Sequence, residues 1–120
     1  ANPAVGDLDG DGNAEIVVLG AGKFLLAFDS GGKPLWKSDL FNMNTVSGSV
    51  AIANIDNEGE AEVIFGSAVF SATGKKLYEG VGGIGINGQG PISCVADLDN
   101  DGRQELIAGR VAHSFSGSVQ

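Results

Sequence analysis

A nine-residue acidic pattern occurs three times in this chain, and its recurrence limits the possible folds more than any other feature. DLDGDGNAE begins at Asp7, NIDNEGEAE at Asn54 and DLDNDGRQE at Asp97, which are 47 and 43 residues apart. Each copy follows a short run of small or apolar residues, Pro3-Ala4-Val5-Gly6, Val50-Ala51-Ile52-Ala53 and Ser93-Cys94-Val95-Ala96. Each then passes through a glutamate into an apolar run closed by glycine, at Gly20, Gly66 and Gly109. Repetition at a period of about 40–50 residues marks arrays whose units bury their faces against one another.

A second matched element lies downstream. Leu26-Ala27-Phe28-Asp29-Ser30-Gly31-Gly32-Lys33-Pro34-Leu35-Trp36 aligns with Ala68-Val69-Phe70-Ser71-Ala72-Thr73-Gly74-Lys75-Lys76-Leu77-Tyr78. Apolar residues run into a Gly-containing polar turn, then a lysine, a leucine and an aromatic, the pattern of a hairpin. The 20 glycines of the 120 residues are scattered through apolar runs. That placement suits short strands and tight turns, whereas each interior glycine costs a helix about 1 kcal/mol.

One period therefore reads as strand, acidic loop, strand, strand, glycine turn, strand. The expected fold is all-β, built of β-propeller blades of four antiparallel strands, with about two and a half blades in the chain. Blade one is expected over 3–37, blade two over 49–79 and an incomplete blade three over 92–120. Together they make 1–120 one partial propeller. Blade three has its first two strands and a third around Val111 to Phe115, and it lacks an outer strand. Rings hold about 4–8 blades, so these blades do not close a ring alone. The expectation is an excerpt of a longer propeller, or a unit completed by other copies through its unpaired strand edges.

The acidic stretches have the donor pattern of a calcium loop. Numbering from Asp7, carboxylates stand at positions 1, 3, 5 and 9 (Asp7, Asp9, Asp11, Glu15), with Gly12 at position 6 for the bend. A curled loop can aim alternate side chains at one point, and the backbone carbonyl of position 7 (Asn13, Glu60, Arg103) can turn in as a further ligand. With waters, that supplies the six to eight hard oxygens Ca²⁺ accepts. No Cys or His lies in any loop, which disfavours zinc and copper. The third loop is as complete as the first: Asp97, Asp99, Asp101 and Glu105, with Gly102. The middle loop is weaker, having Asn54 for an aspartate and Glu58 for another, with Asp56 and Glu62 kept. Two calcium sites are expected, and a third of lower affinity. Position 12 of the first stretch is Val18, where an EF-hand requires an acid, so these are not EF-hands.

The formal charge of −8 agrees with this reading, since eleven of the fifteen acidic residues are candidate ligands and three divalent ions would bring it to about −2. The same charge argues against nucleic acid or an anionic membrane as partner. No apolar run reaches the roughly 18 residues of a membrane span. The chain does not begin with Met, which suggests a mature product or a piece of something longer. Cys94, the one cysteine, sits in an apolar run and is expected to be a small buried side chain.

DLDGDGNAEIVV and DLDNDGRQELIAG resemble the calcium-loop repeats of the FG-GAP/VCBS family, whose propellers include the head of integrin α subunits. The resemblance covers almost the whole chain. It implies a mainly structural calcium that pins the turn between the first two strands of a blade. Its ligands would be Asp7, Asp9, Asp11 and Glu15 in one loop, Asp97, Asp99, Asp101 and Glu105 in another, and Asn54, Asp56, Glu58 and Glu62 between them. The chain departs from the family in its small number of blades. The hairpin ending in Trp36 is also similar to the outer strands of pyrroloquinoline-quinone dehydrogenase propellers, where such a Trp packs between blades. With Tyr78 at the matching place, packing is the expected role here.

Other signals carry less. Gly80-Val81-Gly82-Gly83-Ile84-Gly85 fits G-x-G-x-x-G, but no helix can follow it, so it is expected to be an inter-blade connection. The matching connection, Phe41-Asn42-Met43-Asn44-Thr45, is richer in side chains for contacting a partner. His113 has no evident Ser, Cys or Asp partner, and no nucleophile motif occurs. The expected function is a non-catalytic, calcium-stabilised binding, adhesion or assembly module, extracellular or at the cell surface, with the periplasm also compatible. Calcium near millimolar outside cells would fill such loops. Its partner is a protein or a glycan. One alternative is a propeller segment of a polysaccharide lyase, since similar loops occur in some rhamnogalacturonan lyases. The other is a self-assembling structural subunit whose copies complete one another's blades.

Overall fold

The computed structural model describes residues 3–42, 48–80, 92–108 and 111–114. These residues form eleven β-strands and no helix. β1 (Ala4–Gly6), β2 (Glu15–Leu19), β3 (Leu25–Phe28) and β4 (Pro34–Lys37) make one antiparallel sheet in sequence order. β5 (Val50–Ala53), β6 (Glu62–Phe65), β7 (Ala68–Phe70) and β8 (Lys76–Glu79) make the second in the same way. β9 (Ser93–Ala96), β10 (Glu105–Ala108) and β11 (Val111–Ser114) make a third, three-stranded sheet. Each sheet is a meander, with neighbours in the chain paired in space.

The repetition extends to register. Gly6 faces Glu15, Ala53 faces Glu62 and Ala96 faces Glu105, so the acidic loops join the first two strands at one corner of every sheet. A register shift falls between Ala27 and Phe28 in the first sheet and between Val69 and Phe70 in the second, at matching residues. The turns that follow are built alike. Asp29 Oδ1 accepts the N–H groups of Gly31 and Lys33, and Ser71 Oγ accepts those of Thr73 and Lys75. Gly32 and Gly74 close these turns at φ +85° and +88°, a conformation that costs other residues.

The sheets bury their faces against one another. Ala4, Leu8, Val17, Leu25, Ala27 and Phe41 meet Val50, Val63, Phe65, Ala68 and Phe70 in one core. Ile55, Ile64, Val69 and Tyr78 meet Leu106 and the half-buried Val95 in the other. Among the described residues only the middle sheet is covered on both faces, and β6 and β7 are buried at every residue. Their unbroken burial contrasts with the alternating burial of β2 and β3, which face a neighbour on one side. The first strands approach one another across the stack, β1 against β5 and β5 against β9.

Polar bonds register the sheets. Trp36 Nε1 donates to the Ala72 carbonyl at 2.9 Å, and its ring lies over Gly74. Trp36 thus packs between sheets, as its resemblance implies. Asp39 Oδ2 accepts the Lys76 N–H, and its own N–H reaches the Gly74 carbonyl. Ser93 Oγ donates to the Gly66 carbonyl at 2.7 Å.

Two expectations fail. Cys94 is exposed, because its side chain lies on the face of the third sheet turned away from the second. Phe41 does not offer its ring to a partner; it is buried between the first two sheets, 5.1 Å from the Phe65 ring. Asn42 is exposed, while Met43, Asn44, Thr45 and the stretch 81–85 lie outside the described residues.

Candidate metal centres

Each acidic loop is bound to its strand by the glutamate at position 9. Glu15 Oε2 accepts the Leu8 N–H at 2.7 Å, Glu62 Oε2 that of Ile55 at 2.8 Å, and Glu105 Oε2 that of Leu98 at 2.8 Å. One carboxylate oxygen of each glutamate is therefore committed to the loop's own backbone. The residue that donates is the apolar one at position 2, and in the first two loops its side chain plugs an inter-sheet core.

The aspartates fold the rest of the loop around themselves. Asp7 accepts from Gly10 and Gly12, Asp9 from Asp11, and Asp11 from Asn13. Asp97 accepts from Asp101 and Gly102, Asp99 from Asp101, and Asp101 from Arg103. These bonds turn N–H groups toward carboxylates and hold several negative side chains on a short arc. The Asn13 N–H on Asp11 Oδ1 holds that carboxyl below its ordinary value.

Position 4 is the residue that sequence reasoning missed. It is left-handed in every loop, with Gly10 at φ +77° and Asn57 and Asn100 both at +61°. Asn is the side chain that best tolerates this conformation after Gly, so the Gly/Asn/Asn column carried the signal. Position 6 is left-handed as expected, at Gly12, Gly59 and Gly102.

Two groups of oxygens converge. Asp7, Asp9 and Glu15 each offer a carboxylate oxygen within 4.8 Å of the others, and so do Asp97, Asp99 and Asp101. Oxygens bound to one calcium at about 2.3–2.6 Å lie within about 5 Å of each other, so both groups match the span of a single ion. Asp11 and Glu105 belong to the same loops but not to these gathered sets. Asn13 and Arg103, whose carbonyls were the expected position-7 ligands, stand exposed in their loops. The donors are all hard oxygens, which suits a hard divalent cation.

The middle loop does not gather a comparable group among the described residues. Asn54 Nδ2 donates instead to the Gly59 carbonyl at 3.3 Å, and its Oδ1 accepts the Glu58 N–H, as does Asp56 Oδ1. The amide closes this loop by hydrogen bonds. Glu58 and Glu60 are exposed, and burial pushes the Glu62 carboxyl above its ordinary value. Asn57 reaches the third loop, donating to the Gly102 carbonyl at 3.3 Å and facing Gln104 Nε2 at 3.4 Å.

His113, the lone histidine, is buried between the second and third sheets with Nδ1 2.9 Å from the Tyr78 hydroxyl. Among the described residues no helix is long and apolar enough to cross a membrane.

No protein-family model matches the chain, and no curated protein matches it. Among solved structures it is similar to the V. cholerae biofilm matrix protein Bap1, at 25% identity and a TM-score of 0.77. That likeness covers 98% of this chain, which spans 19% of the solved chain.

Proposed function

We propose that this chain forms consecutive blades of a calcium-stabilised β-propeller that acts outside the cytoplasm as a non-catalytic adhesion or matrix-assembly module. The observation that carries the reading is the likeness, along nearly the whole chain, to a protein of the biofilm matrix. The stacked meanders, with first strands adjacent, support the blade reading. The ligand is a protein or a glycan on this reading, and the loops are its scaffold.

Calcium is the ion the donors favour. It would sit among Asp7, Asp9 and Glu15, and among Asp97, Asp99 and Asp101, cancelling charge that otherwise strains a chain of −8. FG-GAP/VCBS-type repeats remain the best description of the loop pattern. A non-catalytic role is supported by His113, whose ring is enclosed by the sheet interface and so poorly placed as a general base.

Calorimetric titration of the chelator-treated chain tests this reading, together with its retention on immobilised matrix polysaccharide. Two calcium ions per chain and a higher melting temperature in calcium are expected. No heat of binding and a melting curve indifferent to chelator would reject the calcium scaffold. Failure to bind matrix polysaccharide or matrix protein would reject the adhesive role.

A further inference from the structure

The two inter-sheet cores differ at one pair of rings. In the first, Trp36 of β4 packs against the core that includes Phe70 of β7. At the corresponding places of the second stand Tyr78 of β8 and His113 of β11. A phenyl group in one interface is thus an imidazole in the other, with Nδ1 on the Tyr78 hydroxyl. His113 is 8% exposed, and its Nε2 is buried with no hydrogen-bond partner among the described residues. Neutral imidazole suits this site with its proton on Nδ1, donated to the Tyr78 oxygen, so that Nε2 is a bare lone pair. Imidazolium carries an N–H on both nitrogens, and the second would be buried without an acceptor. Among the described residues no charge offsets it. Leu106 lies opposite His113 on β10, and Tyr78 is the titratable group in contact with the ring. The nearby carboxylates are engaged elsewhere: Glu105 and Glu62 hold the Leu98 and Ile55 N–H groups, and Glu79 pairs with Lys76 and accepts the Asn42 N–H. Burial accordingly lowers the His113 pKa from 6.5.

We propose that the Tyr78–His113 contact is an acid-sensitive latch, whose protonation opens the second inter-sheet core while the first stays closed. The sign follows from solvation. With the core open, His113 meets water and takes up its proton near pH 6.5; with the core closed it resists until the pH is lower. Between those two values each unit of acidification raises the open fraction about tenfold. The first core has no such ring. Phe41, Phe65, Phe70 and Trp36 do not titrate, and the Trp36 bond to the Ala72 carbonyl is indifferent to mild acid.

The chain has a single Trp, a single Tyr and a single His, so each core carries its own reporter. The test is an NMR titration of the whole chain from about pH 7.5 to about 5.5 with a neutral nitroxide, which broadens protons that solvent reaches. The Tyr78 ring protons should broaden in step with protonation of His113, at a midpoint below 6.5, while the Trp36 indole N–H stays sharp. In His113→Phe, which restores the ring of the other sheets, Tyr78 should stay sharp throughout. Tyr78→Phe should lower the His113 midpoint further, because imidazolium loses its one acceptor. Tyr78 still shielded at the acid end overturns the latch, whether or not His113 has titrated. So does exposure of Tyr78 and Trp36 together, which is unfolding of the whole, or exposure that persists in His113→Phe. The wild-type titration decides by itself if either variant fails to fold. None of these results bears on calcium or matrix binding, which calorimetry and retention test separately.

Discussion

The Tyr78 hydroxyl and Nδ1 of His113 lie 2.9 Å apart across the second and third sheets, with their rings edge to face at 5.7 Å. Gly80 lies close beneath, where a Cβ would come within 2.6 Å of both partners. At the position of His113 the other two sheets carry Phe28 and Phe70. The third sheet has thus placed a titratable ring where the repeat otherwise has a phenyl group.

Burial lowers the pKa of His113 from 6.5, because an imidazolium is poorly solvated between sheets. As pH falls below about 6.5 the unfolded chain takes up a proton that the native one resists, so stability present above that pH is lost on acidification. His113→Phe should flatten the dependence of the melting temperature between about pH 7 and 5. An unchanged slope in that variant would show that His113 does not sense pH.

Gly32 and Gly74 separate backbone strain from packing. Both are left-handed, but Gly32 has open space about it, whereas a Cβ on Gly74 would approach Trp36 Cε3 to 2.6 Å. Gly32→Ala should cost about 1–2 kcal/mol, the price of a left-handed alanine. Gly74→Ala should cost about 3 kcal/mol or more, since the indole must also move from a packed site. Urea denaturation of the two variants measures the difference, and equal losses would show that the Trp36 contact is slack.

Much of this architecture was legible because the chain states it more than once. The apolar runs, the acidic loops and the Asp29 and Ser71 turns recur at fixed offsets, and strands formed there. Periodicity was blind to which faces find a neighbour. Cys94 reads as a core residue like Ala4, yet it is exposed because no sheet covers the third one among the described residues. Phe41 reads as loop but fills the space between two sheets, a contact that depends on their separation. In the loops, the alternating acids were visible, but the division of labour was not. The position-9 glutamates also tie down the backbone, a role that requires knowing where the Leu8, Ile55 and Leu98 N–H groups point.

That tie predicts a metal-independent role for Glu62. Glu62→Ala strands the buried Ile55 N–H and should cost about 1–3 kcal/mol even in chelator. Glu62→Gln keeps an acceptor oxygen and removes a carboxylate whose pKa burial has raised. A raised acid pKa makes native stability fall as pH rises through that range, so the Gln variant should match or exceed the parent at neutral pH. Denaturation with urea in chelator checks both. Equal losses for Ala and Gln would mean that the charge itself, and not the accepted bond, is what the loop needs.

The middle loop offers the reverse experiment, in which an ion site is gained. Asn54→Asp with Glu58→Asp gives it the acid spacing of its neighbours, with Asp56, Gly59 and Glu62 already in place. Without metal the variant should melt below the parent, because it loses the Asn54 to Gly59 bond and brings another charge among close carboxylates. With calcium the order should invert. An ion held at a hundred times its dissociation constant adds about 2.7 kcal/mol, more than a single exposed hydrogen bond supplies. Calorimetric stoichiometry should rise from two to three per chain. A variant that still binds two would mean that acid spacing alone does not make the site. The position-4 backbone would not account for the failure, since Asn57 and Asn100 share φ +61°, which leaves the tie from Asn57 to the Gly102 carbonyl as the feature that sets the middle loop apart.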